Sequence, residues 1–219
     1  MTLLDALRDP ALFASIFADR ATWRAWQAFL AALFGLPLTD EDAVRFRSHT
    51  GRQTMPTDPA KEAWVIVGRR GGKSRVAALI AVYLACFRDC RKLLAPGEVG
   101  TLPIVAADRR QARTVMGYVR GLIHDIPMLK QLVVNETADS IEVSTGCRIE
   151  IHTASWRSIR GYTCVGAVLD EVAFWRSEDS ANPDVEIVNA SVPPWPRFLV
   201  LSSLRSVPRM AGSRDNAGS

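Results

Sequence analysis

Glycines and cations are concentrated in segment 68–74, whose sequence GRRGGKS could bind a polyphosphate. Gly71 and Gly72 allow the backbone to approach phosphate oxygens closely, and successive N–H groups at a helix start form an anion site. Lys73 would reach the β- and γ-phosphates, and Ser74 would offer its hydroxyl to Mg²⁺. We therefore predict a site for ATP and Mg²⁺. Its nucleotide-binding residues would be Gly68, Arg70, Gly71, Gly72, Lys73 and Ser74.

The surroundings of this segment support the prediction, although its first position is unusual. It follows an apolar run, Ala63–Val67, of the type found in buried strands, and it precedes a helix predicted from Ser74 to about Arg88. Relative to the pattern G-x-x-x-x-G-K-[ST], Val67 occupies the place of the first glycine and Gly68 comes one residue late. The alternative is a basic, glycine-rich turn that binds nothing.

Two carboxylates, Asp170 and Glu171, end a second apolar run that begins at Val165. The carboxyl end of a parallel strand is where a phosphate-binding α/β fold places its Mg²⁺ partner. Asp170 would hold the metal through water, and Glu171 would polarise the attacking water. A kinase needs no such glutamate, so the pair favours hydrolysis. The alternative is an ordinary strand end that happens to be acidic.

The pattern of apolar residues predicts helices first and an alternation of strands and helices afterwards. Apolar residues recur at helical spacing from Leu3 to Ile16, Thr22 is expected to cap a helix from about Trp23 to Leu33, and Thr39 is expected to cap a third. Strands apolar on both sides indicate a parallel sheet covered on both faces. The predicted later strands are Leu102–Ala107, Asp139–Val143, Arg148–His152, Val165–Leu169 and Arg197–Leu201, with a helix from Arg109 to about His124.

These elements predict an α/β fold of the P-loop NTPase (RecA/ASCE-like) type: a mainly parallel central sheet flanked by helices and preceded by an N-terminal helical segment. Four segments are expected along the chain. They are a helical segment 1–50, a linker 51–61 rich in Gly, Pro and Thr, an ATPase core 62–204, and a polar, disordered tail 205–219.

Composition restricts the class of protein without choosing a function. The 219 residues are 48% hydrophobic and 23% charged, as in globular domains, and the net charge of +4 permits a polyanionic partner such as DNA. The four cysteines form no C-x-x-C pair, so we expect buried thiols rather than a zinc site. Neither a signal peptide nor a run long enough to span a bilayer is evident, which predicts a soluble, intracellular protein.

The motifs, taken in order, resemble those of phage terminase large subunits. The segment 68–74 is similar to the family's phosphate loop, in which an arginine follows the first small residue. Segments 106–112 and 155–161 are similar to the stretches before the next helix and before the hydrolysis motif, which itself corresponds to Leu169–Glu171. Residues 198–203, FLVLSS, resemble the coupling motif.

The resemblance implies a role for several further residues. Arg69 would be the loop arginine that stabilises charge on the γ-phosphate, with Arg70 as the second candidate. Ser202 and Ser203 would couple hydrolysis to movement. Gln27, next to Trp26, would contact adenine, and a further pair, Arg157 and Arg160, could contact DNA or the nucleotide of a neighbouring subunit. Solvated basic loops and ordinary strand ends are the alternatives.

The resemblance also implies partners and a process. The chain would be the ATPase of a DNA-packaging motor that translocates double-stranded DNA, works as a homo-oligomeric ring, and meets the portal protein and the small terminase subunit. The family's nuclease domain uses clustered carboxylates, whereas only Asp215 remains after the coupling motif, so no nuclease activity is expected. The competing hypotheses are a helicase-like ATPase, a small-molecule kinase, and an inactive prophage remnant that binds DNA or a motor partner.

Overall fold

A computed structural model describes residues 1–18, 20–68, 70–153, 161–172, 175 and 198–203. The strands are β1 Glu62–Val67, β2 Gly100–Ala106, β3 Val133–Glu136, β4 Ser140–Val143, β5 Cys147–Thr153, β6 Ala167–Asp170 and β7 Phe198–Ser203. The helices are α1 Leu3–Arg8, α2 Arg20–Leu33, α3 Asp40–Thr50, α4 Lys73–Cys86, α5 Arg109–Asp125 and α6 Pro127–Lys130, with a 3₁₀ turn at Cys90–Leu93. Arg69, Arg157, Arg160 and the tail 205–219 lie outside the described residues.

The seven strands form one sheet in the order β1-β7-β6-β2-β5-β4-β3. The first five are parallel to one another, and β3, β4 and β5 are joined as antiparallel neighbours. The carboxyl ends of β1, β7 and β6 therefore meet at one edge of the sheet. That edge receives the loop after β1 and the two carboxylates after β6.

Helix α4 lies inside the protein because its sequence is apolar on every side. All eleven residues from Val76 to Cys86 are buried, and the helix packs against α5, β5 and β6. A helix that is hydrophobic all round must be covered all round. Its predicted burial is confirmed, and this burial fixes the position of Lys73 at its first residue.

The sheet separates a large core from a small one. Ile104 of β2 belongs to the large core that contains α4, whereas Val105 faces a second cluster with Leu169, Val172 and Trp175. Strands β2 and β6 are buried along their whole length. The mainly parallel sheet of an α/β fold, predicted from these doubly apolar strands, is confirmed.

The N-terminal helices share the large core rather than forming a core of their own. Leu3 and Phe13 are fully buried there, as is Leu30 of α2, together with residues of α4. Thr39 caps α3 as predicted, because its side chain accepts a hydrogen bond from the backbone of Asp42. The cores of α2 and α4 are therefore continuous.

Two details of the N-terminal prediction are wrong. Helix α2 begins at Arg20, so Thr22 lies in its first turn and not at its cap. Helix α1 ends at Arg8, and residues 10–17 form turns instead of continuing a helix to Ile16. A proline disfavours the helical conformation of the residue before it. Asp9, which precedes Pro10, is accordingly extended, with φ −76° and ψ 121°.

Strand positions also differ from the prediction in three places. Strand β1 was expected to be buried but is an edge strand, with Trp64 59% and Ile66 55% exposed. Strand β6 begins at Ala167, two residues later than the predicted start at Val165. Before it, the chain makes only an isolated bridge between Cys164 and Thr101. Strand β3 was not predicted, since its short sequence VVNE is largely exposed and carries little periodicity.

All four cysteines are buried and none forms a disulfide. Burial raises the pKa of Cys86 to about 12 and that of Cys164 to about 11. Among the described helices, none is both long and apolar enough to cross a membrane.

We predict that Leu79→Ala lowers the free energy of unfolding by about 2–5 kcal/mol, because it leaves a cavity in the centre of α4. Leu79 is 0% exposed. The matched control is Val44→Ala on α3, where the side chain is 61% exposed and the change should stay within about 0.5 kcal/mol. Urea denaturation measures both. Equal effects of the two substitutions would contradict the central position of α4.

Candidate functional site

The segment between β1 and α4 forms a tight turn that ends at a helix N-terminus. The backbone N–H of Gly71 donates to the carbonyl oxygen of Gly68 at 3.1 Å. Arg70 and Gly72 have positive φ values of 63° and 83°, and Gly72 is the N-cap of α4. Alternating left-handed and right-handed residues of this kind turn successive N–H groups toward one concave side.

Two glycines of the turn are required by close neighbours. A Cβ on Gly71 would lie 2.4 Å from Cγ1 of Val67, and one on Gly72 would lie 2.9 Å from the ring of Trp23. Val67 occupies the place of the first glycine in the usual pattern. Its side chain fits there because Gly71 has none.

The N-terminus of α4 is open to an anion. No side chain caps it, and within the described residues no acceptor is found for the backbone N–H groups of Gly72, Lys73 and Ser74. The carbonyl of Gly72 already accepts from Arg75 and Val76, so the helix is complete from its first turn onward. Unpartnered N–H groups at the start of a 14-residue helix carry partial positive charge and suit a phosphate.

Lys73 connects this turn to the two carboxylates after β6. Its Nζ lies 2.7 Å from Oδ1 of Asp170 and 2.7 Å from Oε1 of Glu171. The side chains of Lys73 and Asp170 are 18% and 6% exposed, so the pair is held away from bulk water. The sequence separates these residues by almost a hundred positions, and the parallel sheet brings them into contact.

The charges in this triad influence one another. Burial opposes the positive charge of Lys73, but its hydrogen bonds to Asp170 and Glu171 outweigh this effect and raise the pKa of Lys73. Burial also raises the pKa of Asp170, and the ammonium group of Lys73 offsets only part of that rise. Each of the two buried charges therefore depends on the other for its stability.

The backbone after β6 is held in an unusual conformation. Glu171 has a positive φ of 54°, which is uncommon for a residue with a side chain. The indole N–H of Trp175 donates to the carbonyl oxygen of Asp170 at 3.1 Å and is buried beside it. A strained residue that the surrounding structure holds in place is typical of a functional site.

The donor set suits Mg²⁺ better than a metal held by the protein alone. Magnesium in nucleotide sites takes one or two protein oxygens, and phosphate and water supply the rest. Ser74 stands at the second residue of α4, and Asp170 ends the strand opposite Lys73. No cluster of three metal-ligating side chains occurs in the described ranges, so these two oxygens and the phosphates would have to suffice.

The predicted coupling strand runs between the two halves of the site. In β7, Ser203 is in register with Val67 of β1, and Leu201 is in register with Asp170 of β6. Ser202 and Ser203 are thus the last two residues of a strand whose backbone separates the phosphate turn from the carboxylates. The roles predicted for these serines stay predictions.

Gln27 lies on the side of α2 that faces α4. It lines a cavity of about 10 Å³ together with Leu30, Val76 and Leu79, which is too small for a base. The adenine contact predicted for Gln27 stays a prediction. A wider cleft, of about 450 Å³, opens on another side of α2, between Phe46 and Trp64 and next to Gly68.

Sequence analysis named Trp26 only as the neighbour of Gln27 and missed its contact with the phosphate turn. Its indole N–H donates to the carbonyl oxygen of Gly71 at 2.8 Å, across 45 positions of sequence. The available signal was the pair Trp23 and Trp26, three residues apart on an amphipathic helix. Such a pair usually means core packing, and only the tertiary structure shows that one of the rings reaches the phosphate turn.

Solved structures similar to this chain are those of bacteriophage large terminases. The chain is similar to the large terminase of bacteriophage HK97, with a TM-score of 0.51 and 17% identity over 83% of this chain and 37% of that one. It is also similar to a variant of the ATPase domain of the Thermus phage P74-26 large terminase, with a TM-score of 0.45 and 16% identity over 80% and 68%. No protein-family model and no curated protein sequence matches the chain.

The likeness to the HK97 protein confirms, at the level of the fold, the resemblance that the motifs indicated. The fold is the P-loop type of α/β fold. The chain spans 37% of the length of that terminase.

We predict that Lys73→Met lowers the free energy of unfolding by about 1–3 kcal/mol at pH 7, because two carboxylates lose their only shared donor. The raised pKa of Lys73 means that its contribution is complete below the unfolded-state value of 10.5 and is lost only as the pH rises through the raised value. The loss in the variant should shrink as the pH falls from 7 toward 5, since burial raises the pKa of Asp170 and loss of the ammonium group removes the interaction that opposes this rise.

Urea denaturation at the two pH values measures this effect. Lys61→Met, at an exposed lysine, is the control and should change stability by less than about 0.5 kcal/mol. Adding Asp170→Asn to Lys73→Met should recover part of the loss. A loss that is the same at both pH values and is not recovered would show that the triad is not electrostatically coupled.

Proposed function

We propose that this chain is the ATP-hydrolysing motor domain of a phage DNA-packaging terminase large subunit. One observation carries the proposal: Lys73, at the open N-terminus of α4, contacts both Asp170 and Glu171 at 2.7 Å. Lys73 thereby connects the proposed phosphate site to two carboxylates, one suited to bind the metal and one suited to polarise water. The fold shared with the HK97 large terminase supports the assignment to a packaging motor.

The triphosphate of ATP would bind at the N–H groups of Gly72, Lys73 and Ser74. These groups have no acceptor among the described residues, so an anion would satisfy them without breaking an existing bond. Lys73 would exchange its two carboxylate partners for β- and γ-phosphate oxygens. Bound Mg²⁺ would neutralise charge on the β- and γ-phosphates, held by the Ser74 hydroxyl and, through water, by Asp170.

Asp170 and Glu171 would divide the remaining work according to their exposure. Asp170 is 6% exposed and forms part of the buried end of β6, which suits a fixed ligand. Glu171 is the first residue after the strand and is 22% exposed, so a water molecule can reach it. We assign Glu171 the role of orienting and polarising the water that attacks the γ-phosphate.

The arginines of the loop would stabilise the charge that develops during hydrolysis. Arg69 is our first candidate, and Arg70, an exposed residue with positive φ in the same turn, is the second. In other NTPases an arginine in this role contributes about 10³–10⁵ in rate. We retain Gln27 as a candidate contact for adenine.

The motor role brings partners that belong to the whole packaging machine. We propose double-stranded DNA as the translocated substrate, a homo-oligomeric ring as the working assembly, and the portal protein and small terminase subunit as neighbours in the host cytoplasm. Ser202 and Ser203, on the strand between the phosphate turn and the carboxylates, would transmit hydrolysis to movement.

We predict that Glu171→Gln retains ATP binding but lowers kcat by about 10²–10⁴, because the neutral amide cannot polarise water. Lys73→Ala should abolish measurable binding of ATP. Glu142→Gln is the matched control, since Glu142 is 21% exposed, pairs with Arg148 at 2.6 Å, and lies on β4 away from the site. Phosphate release and fluorescent-nucleotide titration measure the two effects. Normal turnover by Glu171→Gln would refute the role assigned to this residue.

We predict that double-stranded DNA increases the ATPase rate of the purified chain, because a motor couples hydrolysis to its track. The measurement is phosphate release with and without DNA, at two salt concentrations, since binding to phosphates weakens as salt rises. A small-molecule kinase would transfer phosphate to an acceptor and ignore DNA. A folded chain with no affinity for ATP would indicate an inactive remnant.

A further inference from the structure

The peptide between Gly71 and Gly72 in the phosphate turn is flanked by glycine on both sides. Glycine populates positive and negative φ about equally, so a peptide flanked by two glycines can rotate at little cost. Its N–H belongs to Gly72, one of the three groups proposed to bind phosphate. If the peptide were reversed, it would present the carbonyl oxygen of Gly71 to the anion instead.

The side chain of Trp26 opposes that rotation. The indole N–H of Trp26 donates to the carbonyl oxygen of Gly71 at 2.8 Å. Within a planar trans peptide, the C=O of one residue and the N–H of the next point in opposite directions. Holding the Gly71 carbonyl toward α2 therefore turns the Gly72 N–H away from α2.

Helix α2 is a firm support for this contact. Its residues Ala28, Leu30 and Ala31 are buried, and Trp23, which also belongs to α2, packs against Gly72. The guanidinium of Arg75, in the first turn of α4, lies 5.3 Å from the ring centre of Trp23. Helix α2 therefore contacts the start of α4 through Trp23 as well as through Trp26.

We propose that Trp26 is a positioning residue for phosphate binding: its indole N–H fixes the Gly71–Gly72 peptide so that the Gly72 N–H faces the phosphates. The inference rests on the proposed function, because it assigns a cause to the affinity of that same site. Trp26 itself touches no phosphate. It acts through the orientation of one backbone amide.

The test is the substitution Trp26→Phe, which keeps an aromatic ring and removes the donor. We expect affinity for both ATP and inorganic tripolyphosphate, each with Mg²⁺, to fall about tenfold, the equivalent of one lost hydrogen bond of ordinary net strength. The melting temperature without ligand should change by only a few degrees. The control is Trp64→Phe, since the exposed indole of Trp64 donates to the side chain of Glu62 on the sheet edge, and it should leave both affinities unchanged.

The two ligands separate the possible roles of Trp26. Equal losses for ATP and tripolyphosphate support a role in phosphate binding, whereas a loss for ATP alone would assign Trp26 to the base and overturn the inference. Unchanged affinity for both ligands would also overturn it. If the unsubstituted chain binds neither ligand, the proposed function fails instead, and the inference fails with it.

A second measurement does not depend on the stability of the variant. The indole N–H resonance of Trp26 in the unsubstituted chain should shift when tripolyphosphate is added. The reason is that the Gly71–Gly72 peptide, whose carbonyl oxygen accepts from Trp26, then donates its N–H to phosphate. The resonance of Trp64 should stay in place. A Trp26 resonance that does not respond while the ligand binds would contradict the inference.

Discussion

One ammonium group shared by two carboxylates is the interaction on which the rest of this structure depends. Lys73 carries the charge, and Asp170 and Glu171 receive it at 2.7 Å each. Removing the lysine would leave two carboxylates, one of them buried, without the cation that they share, which proteins tolerate poorly. The same arrangement has a use in a nucleotide site, because a triphosphate and its metal can replace both contacts of the lysine. The resting site is therefore stabilised by the groups that the proposed reaction requires.

The fold serves this interaction by fixing the two ends of the contact independently. Helix α4 cannot shift without exposing an apolar side, because Val76–Cys86 is buried throughout. The backbone of Lys73, the first residue of this helix, is therefore held in place. Strand β6 is buried along its length, and Trp175 holds the carbonyl of Asp170. Strand β7 lies between β6 and β1 and sets the distance across which the lysine must reach. The N-terminal helices complete the arrangement, since α2 shares the core of α4 and contacts the phosphate turn through Trp23 and Trp26.

The success of sequence-based prediction followed the strength of local signals. Helix α4 and the strands apolar on both sides were predicted because continuous apolar sequence has few other solutions in a protein of this size. Thr39 was found because its capping interaction is made within three residues. The residues after Asp9 were misassigned because the apolar spacing continues past Pro10, whereas the helix does not. Thr22 was misassigned because a residue type that favours a cap can also lie inside the first turn. The exposure of β1 could not be predicted, since strand order is a property of the whole sheet and an edge strand can be as apolar as a central one.

The sequence by itself determined the chemical inventory of this protein: a glycine-rich turn before a helix, a lysine and serine at its start, and two carboxylates at the end of an apolar strand. It also determined the class of fold, because the alternation of apolar strands and helices is written in local periodicity. Only the tertiary structure decided that Lys73 meets Asp170 and Glu171, and that Trp26 rather than Gln27 reaches the phosphate turn. The physical reason is distance along the chain. Contacts across 45 or 98 residues depend on how whole elements pack, which no local pattern records.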